Sequence, residues 1–143
     1  MEIITKSTAE TKALGKRKAL DLLKGARRAT VIALTGDLGS GKTTFMQGFA
    51  EGLGYTGRLI SPTFILMRQY PIQSGKLYHL DVYRLDKNVD EEAKDLGLME
   101  IMSDPSNIVV IEWAEKIRNV LPEDTQWITF EYVDDETRKI MIN

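Results

Sequence analysis

A glycine-rich stretch, GDLGSGKT at residues 36–43, contains the residue types in this sequence that most directly suggest chemistry. It fits the phosphate-binding pattern G-x-x-x-x-G-K-[ST] at every fixed position. Its glycines allow backbone conformations that a Cβ would penalise, so successive N–H groups can point at one anion. Lys42 is expected to reach the β- and γ-phosphates of a nucleotide, and the Thr43 hydroxyl to bind Mg²⁺. The stretch therefore predicts a polyphosphate site.

The residues on either side of this loop agree with that interpretation. Residues 29–35 (ATVIALT) form an apolar, β-branched run that is typical of a buried strand. Residues 44–53 (TFMQGFAEGL) place Phe45, Phe49 and Leu53 four residues apart, as on one face of a helix. Strand, loop and helix in this order distinguish a phosphate loop from a glycine-rich turn that matches the pattern by chance.

Two acidic residues are candidates to complete the site. Mg²⁺ prefers oxygen ligands, and in phosphate-loop proteins an acid at the end of a buried strand commonly supports it. Glu112 follows the apolar run 108–111 (IVVI) and fits best, whereas Asp81 ends an alternating stretch within residues 76–83 (KLYHLDVY). Each could instead cap a helix or pair with a surface cation. The two could also cooperate, one on the metal and one on a metal-bound water.

Three further side chains have both a functional and a structural interpretation. Thr63, in the stretch SPTF, could contact the γ-phosphate or Mg²⁺, or it could be an ordinary turn threonine. His79 is the only histidine and shares a strand face with Asp81, so it could assist the site or simply pack. Trp113 is more typical of packing, or of an interface anchor, than of catalysis.

The rest of the sequence predicts an α/β fold. Residues 2–5 predict a strand, and Ser7 with Glu10 forms a capping-box pattern at the start of a helix that ends near Leu23. Two hairpins are expected, from residues 64–70 with 76–83 and from residues 127–133 with 138–142. These elements predict a three-layer P-loop NTPase fold with a mixed β-sheet, as a single domain over residues 1–143.

Composition narrows the function classes. The 143 residues are 43% hydrophobic and 28% charged, which is ordinary for a soluble globular protein. A net charge of −2 argues against a strongly electrostatic nucleic-acid binder. The absence of cysteine excludes disulfides, thiolate metal sites and a cysteine nucleophile. With no evident signal peptide and no apolar run that could span a bilayer, a cytoplasmic protein without membrane contact is expected.

Four motifs in this order resemble those of the TsaE family (YjeE-type P-loop ATPases): GDLGSGKTT (36–44), SPTF (61–64), HLDVYR (79–84) and IEW (111–113). The resemblance spans nearly the whole chain. That family takes part in making threonylcarbamoyladenosine on tRNAs that read ANN codons. The resemblance implies an ATPase with ATP and Mg²⁺ as cofactors, weak alone and dependent on partners. It also implies the TsaD and TsaB proteins as those partners, with hydrolysis driving or resetting their complex and tRNA contacted only indirectly through it.

The resemblance also assigns roles to single residues. The implied catalytic residues are Lys42, Asp81, Glu112 and Thr63. The implied metal-binding residues are Thr43, Glu112 and Asp81. The implied nucleotide-binding residues are Thr11, Asp37, Leu38, Gly39, Ser40, Gly41, Lys42, Thr43 and Thr44. Among these, Thr11 matches a threonine near the nucleotide base.

Two other functions fit a small phosphate-loop protein. A small-molecule kinase is the main alternative, although no arginine-rich lid for an acceptor is evident in the sequence. A GTP-dependent switch would be expected to carry an N-K-x-D stretch, but the Lys87-Asn88 pair stands in the reverse order. A phosphorylated metabolite would favour the kinase, and displacement of ATP by GTP at equal concentration would favour the switch.

Overall fold

The computed structural model of the chain describes residues 1–24, 30–37, 39–62, 66–73 and 75–143. The strands are β1 (Glu2–Thr5), β2 (Thr30–Thr35), β3 (Met67–Ile72), β4 (Gly75–Asp81), β5 (Asn107–Glu112), β6 (Gln126–Tyr132) and β7 (Arg138–Ile142). The helices are α1 (Thr8–Leu23), α2 (Lys42–Gly52), α3 (Val89–Asp95) and α4 (Leu98–Ser103), with a 3₁₀ segment at Ala114–Val120. None of these described helices combines the length and the apolar character needed to cross a membrane.

The strands form one 7-stranded sheet in the order β1-β7-β6-β2-β5-β4-β3. Strand β2 pairs in parallel with both β5 and β6, and β4 pairs in parallel with β5. The pairs β3–β4, β6–β7 and β1–β7 are antiparallel. The predicted α/β fold with a mixed sheet is therefore confirmed, as are the two predicted hairpins.

Hydrophobic clusters fill both faces of the sheet. On one face α1 and α2 pack through side chains that include Leu14, Phe45 and Phe49. On the other face α3, α4 and the 3₁₀ segment pack through side chains that include Ala93, Leu98 and Ile117. Successive residues of β5 point alternately into these two clusters, and all of them are buried. The prediction that 108–111 is a central strand buried on both faces is therefore confirmed.

Helix α1 begins at the predicted capping box. The Ser7 Oγ accepts a hydrogen bond from the Glu10 N–H at 3.1 Å. The Glu10 Oε1 accepts from the N–H of Lys6 at 3.1 Å, one residue before the cap. These bonds satisfy N–H groups at the start of the helix, which ends at Leu23 as predicted.

Helices α1 and α2 touch through their backbones. A Cβ added to Gly48 would lie 1.9 Å from the Lys12 carbonyl oxygen, and one added to Gly15 would lie 2.1 Å from the Phe45 carbonyl oxygen. Real Cβ atoms cannot approach so closely, so these positions require glycine at the present helix separation. Because α2 follows the glycine-rich loop directly, this contact also fixes where that loop ends.

Strand β3 begins at Met67, whereas the sequence predicted a strand from residue 64. Leu66 has a φ of 70°, in the left-handed region that extended strands do not use. Its carbonyl oxygen nevertheless accepts a hydrogen bond from the Asp81 N–H at 2.9 Å, so this bend lies against the end of β4. Residues 63–65 lie outside the described residues.

Candidate functional site

The carboxyl ends of three neighbouring parallel strands meet at one edge of the sheet. Leu34 of β2 pairs with Glu112 of β5, and Glu112 pairs in turn with Asp81 of β4. The glycine-rich loop follows β2 directly. The loop and both candidate carboxylates therefore lie along the same edge, where open α/β sheets bind their ligands.

A cavity of about 620 Å³ opens at this edge, a volume typical of small-molecule sites. Its lining includes five of the residues predicted to bind nucleotide: Gly39, Gly41, Lys42, Thr43 and Thr44. Asp81 and Glu112, both buried, line it from the strand ends. The structure thus brings the two parts of the predicted site together around one cavity.

Backbone geometry leaves the start of α2 available to a ligand. Gly39 and Gly41 have φ values of 80° and 105°, which glycine adopts without the strain that a Cβ would add. Gly41 occupies the N-cap position of α2 and no side chain of the described residues caps the helix. The first N–H groups of α2 can therefore donate to an anion, which the helix dipole also favours.

Lys42 is a buried cation with three different contacts. Its Nζ donates a hydrogen bond to the Gly36 carbonyl oxygen at 2.6 Å and lies 4.0 Å from the Glu112 Oε1. The same atom lies 4.9 Å from the ring centroid of Trp113, within the range of a cation–π contact. These contacts compensate in part for burying the charge. A phosphate oxygen would be a stronger partner than the neutral carbonyl.

The two oxygens of Glu112 have different neighbours. Oε2 lies 2.7 Å from His79 Nε2, while Oε1 faces Lys42. A carboxylate can only accept, so we assign the hydrogen of this bond to His79 Nε2. His79 itself is buried and lines the cavity. The predicted proximity of His79 to the site is thus observed, through its hydrogen bond to Glu112.

Asp81 has a local structural role as well as a place in the cavity. Its Oδ1 accepts a hydrogen bond from the Tyr83 N–H at 2.9 Å, which stabilises the turn after β4. The side chain is 4% exposed and lies beside Glu112 on the adjacent strand. This turn contact differs from the helix cap that the sequence also allowed, and it is compatible with support of a metal ion by Asp81.

Five other residues predicted to contact the nucleotide are either absent from the described cavity lining or outside the described residues. The Thr11 Oγ1 lies 2.6 Å from the Thr5 Oγ1 in a buried contact between α1 and β1. Thr11, Asp37 and Ser40 are absent from the described lining of the cavity. Leu38 and Thr63 lie outside the described residues. The nucleotide roles of all five residues stay predictions.

Arg138, the first residue of β7, lines the cavity although no sequence pattern indicated a role for it there. Its side chain packs beside Gly41, where an added Cβ would lie 3.4 Å from the Arg138 Cγ. Its guanidinium donates to the carbonyl oxygens of Asp134 and Thr137 and lies 4.7 Å from the ring centroid of Tyr132. No sequence signal connects this arginine with the loop, because their proximity depends on the strand order.

Two aromatic side chains, Tyr83 and Trp113, also line the cavity. The rings of Tyr83 and Trp113 have centroids 4.8 Å apart. Trp113 has a φ of 61°, a left-handed conformation that ends β5 and turns the chain into the 3₁₀ segment. Lys116 Nζ donates to the carbonyl oxygens of Tyr83 and Leu85 at 2.6 and 3.0 Å. These contacts hold the turn after β4 against the turn after β5.

The side chains at the cavity fit a Mg²⁺ ion that arrives with a nucleotide. No group of three or more His, Cys, Asp or Glu residues in the described parts of the chain could hold a metal ion by itself. Mg²⁺ usually binds through one or two carboxylates, water and substrate phosphates, so no such group is required. The Thr43 hydroxyl with the Asp81 and Glu112 carboxylates, all lining the cavity, provides oxygen ligands of this kind.

Sequence comparison relates the chain to proteins of one family. Residues 5–140 match the family model TsaE, described as threonylcarbamoyl adenosine biosynthesis protein TsaE. The chain is 40% identical over 136 residues to the tRNA threonylcarbamoyladenosine biosynthesis protein TsaE of Bacillus subtilis, covering 95% of this chain and 80% of that one. It is 35% identical over 144 residues to the protein of the same name from Treponema pallidum, covering 99% of both.

Structural comparison gives the same result. A crystal structure of Bacillus subtilis YdiB matches with a TM-score of 0.75 and 34% sequence identity. The match covers 99% of this chain and 83% of that one. Because the family model also spans most of the sequence, the chain belongs to the TsaE family.

Proposed function

We propose that this chain is a single-domain P-loop ATPase over residues 1–143 that binds and hydrolyses Mg-ATP in support of threonylcarbamoyladenosine formation on ANN-decoding tRNAs. The observation that carries the proposal is the meeting of an uncapped helix start, a buried lysine and two buried carboxylates around one cavity. Membership of the TsaE family supports the pathway, because its relatives are named for tRNA threonylcarbamoyladenosine biosynthesis.

Each part of the cavity has a distinct role in the proposed binding. The N–H groups at the start of α2 receive phosphate oxygens, and Lys42 exchanges the Gly36 carbonyl for the β- and γ-phosphates. Thr43, Asp81 and Glu112 hold Mg²⁺ directly or through its waters. Bound Mg²⁺ would neutralise charge that develops on the phosphate oxygens during transfer.

Hydrolysis additionally requires a water molecule in line with the γ-phosphate. Asp81 and Thr63 are the candidates within this chain to orient that water, and a residue from a partner is the third candidate. Phosphate-loop hydrolases often need a partner to complete the site, so the isolated chain should hydrolyse ATP slowly. The proposed partners are the TsaD and TsaB proteins in the cytoplasm, with tRNA contacted through their complex.

The test combines hydrolysis and tRNA modification in one reconstitution. The full chain and its Lys42→Ala variant are each incubated with ATP, Mg²⁺, TsaB, TsaD and substrate tRNA, and phosphate release and modified adenosine are measured. We expect both signals with the unaltered chain and a strong loss of both with Lys42→Ala. Background phosphate release by the unaltered chain, together with unimpaired modification by the variant, would overturn the proposal.

Product analysis and competition separate the other two functions from this one. Free phosphate as the product supports an ATPase, whereas a stoichiometric phosphorylated metabolite would support a small-molecule kinase. Displacement of bound ATP by GTP at equal concentration would instead support a GTP-dependent switch.

A further inference from the structure

We propose that His79 is a positioning residue that holds the Glu112 carboxylate away from Lys42. In this arrangement Lys42 stays available to phosphate and Glu112 stays available to Mg²⁺. The inference rests on the proposed function, because it assumes that these two residues bind those ligands. It adds a role for a histidine that the ATPase proposal does not itself use.

The first observation is a pair of opposite charges that lie close together without a hydrogen bond. Lys42 Nζ and Glu112 Oε1 are 4.0 Å apart, and both side chains are largely buried. Attraction between opposite charges is stronger in such surroundings than in water. Lys42 nevertheless donates to the neutral Gly36 carbonyl at 2.6 Å. Another contact must therefore keep the Glu112 carboxylate from forming a hydrogen bond with Lys42.

The second observation is that His79 occupies the other oxygen of this carboxylate. Nε2 lies 2.7 Å from Oε2, and the ring is 4% exposed. His79 sits on β4 opposite Val110 of β5, so it approaches Glu112 from the neighbouring strand. Its Nδ1 is buried and has no hydrogen-bond partner among the described residues. Within the described residues, the hydrogen bond that this ring makes is therefore the one to Glu112.

The consequence follows from the geometry of a carboxylate. With Oε2 bound to a fixed ring, Glu112 cannot rotate to offer both oxygens to Lys42. Without the ring, the carboxylate would close onto the lysine as a buried ion pair. An incoming phosphate would then have to separate that pair, and Mg²⁺ would lose one of its oxygen ligands. His79 thereby keeps the site open to both ligands.

Three substitutions separate positioning from packing. His79→Leu removes the donor and replaces the ring with an apolar side chain. His79→Gln places an amide N–H near the position of Nε2, so it can still donate to Glu112. His79→Asn is polar but too short to reach Glu112, and it replaces His79→Leu if that variant fails to fold.

The readouts are nucleotide affinity and melting temperature. Binding of a fluorescent non-hydrolysable ATP analogue is titrated at a series of Mg²⁺ concentrations and in EDTA. We expect His79→Leu to weaken the apparent Mg²⁺ affinity of the complex about tenfold or more, as for other residues that orient metal ligands. Affinity in EDTA should fall as well, and His79→Gln should restore most of both losses. A lowered melting temperature with unchanged Mg²⁺ dependence would overturn the inference.

A double-mutant cycle tests whether His79 acts through Glu112. The same titrations are made with Glu112→Gln alone and with His79→Leu added to it. We expect the added substitution to change affinity by less than about twofold, because the carboxylate it controls is already gone. If His79→Leu lowered the affinity by the same factor with and without Glu112→Gln, the inference would be contradicted. An unaltered chain that does not bind Mg-ATP would instead overturn the proposed function, so the two failures are distinguishable.

Discussion

The two halves of the candidate site are held in place by different means. The phosphate-loop half depends on the backbone, through the left-handed glycines at 39 and 41 and the glycine contact between α1 and α2. The carboxylate half depends on side chains, because Glu112 is held by His79 and Asp81 accepts from the Tyr83 N–H. Lys42 follows the loop in sequence, but it acts through its side chain, which faces Glu112 in the second half.

This difference predicts which substitutions should lower the stability of the fold and which should weaken ligand binding. A helix that packs backbone to backbone cannot accept an extra carbon without moving, so changes there should act on folding first. A hydrogen-bonded carboxylate can be exchanged for an amide of the same shape, so changes there should act on ligands first. The following predictions test this division, from the largest expected effect to the smallest.

Substitution at the helix contact should have the largest effect. Gly48→Ala places a Cβ 1.9 Å from the Lys12 carbonyl oxygen, so α1 and α2 must separate. We expect the free energy of unfolding to fall by about 3 kcal/mol, as for severe overpacking of a core. Denaturant titration measures it, with Gln47→Ala on the exposed side of the same helix as the matched control. Equal stability of the two variants would contradict backbone control of this half.

Substitution of the lysine should affect the ligand and leave the fold intact. Lys42→Ala removes a charged donor whose protein contacts include a single backbone carbonyl and a cation–π contact. We expect nucleotide affinity to fall about ten- to a hundredfold, since hydrogen bonds to charged groups contribute about 1.5–3 kcal/mol. Calorimetric titration measures affinity, and Lys139→Ala, at a half-buried lysine outside the described cavity lining, is the control. A large drop in the melting temperature of the ligand-free Lys42→Ala protein would argue against this assignment.

Two substitutions of Glu112 should separate its contribution to stability from its contribution to Mg²⁺ binding. Glu112→Ala leaves His79 Nε2 without an acceptor and should lower the free energy of unfolding by about 1–3 kcal/mol. Glu112→Gln keeps an acceptor for His79, so its stability should be close to that of the unaltered chain. Both should lose Mg²⁺-dependent stabilisation of the nucleotide complex, measured as the melting temperature with and without Mg²⁺. Unchanged Mg²⁺ dependence in both variants would remove Glu112 from the metal site.

The smallest effect is expected at the start of α1. Ser7→Ala removes the Oγ that accepts from the Glu10 N–H, and loss of such a cap typically costs about 1 kcal/mol. Ser7→Asp retains an acceptor and should recover most of that stability. Neither variant should change nucleotide affinity, because this helix end does not line the cavity in the described part of the chain. A change in affinity would show that α1 contributes to the site after all.

Local sequence patterns were enough to predict the parts of the fold that local interactions determine. The capping box, the strand–loop–helix unit and the central strand at 108–111 are each encoded within a short window, and the structure confirms them. The start of β3 was predicted too early, because the left-handed backbone at Leu66 has no glycine to mark it. Backbone conformations that tertiary contacts impose on ordinary residues are not visible in a local pattern.

The rest of the site depends on which strands are neighbours. The bond between His79 and Glu112 requires the parallel pairing of β4 with β5, and the strand order was not derivable from the sequence. Strand β7 runs antiparallel to β6, so its first residue, Arg138, lies where β6 ends. Arg138 lines the cavity from that position. Alternation within one strand indicated that His79 and Asp81 share a face. It could not identify the residue that faces them from another strand.

The contact between Trp113 and Lys42 has a practical consequence for measuring the molecule. The sequence contains two tryptophans, and Trp127 is absent from the described cavity lining. The centroid of the Trp127 ring lies 3.9 Å from the Arg118 Cζ. Trp113 lies beside the lysine that we expect a phosphate to draw away. Its indole emission should therefore change with occupancy while Trp127 provides a steady background. The chain thus contains its own optical probe of ligand arrival, and a Trp127→Phe variant would isolate that signal without any attached dye.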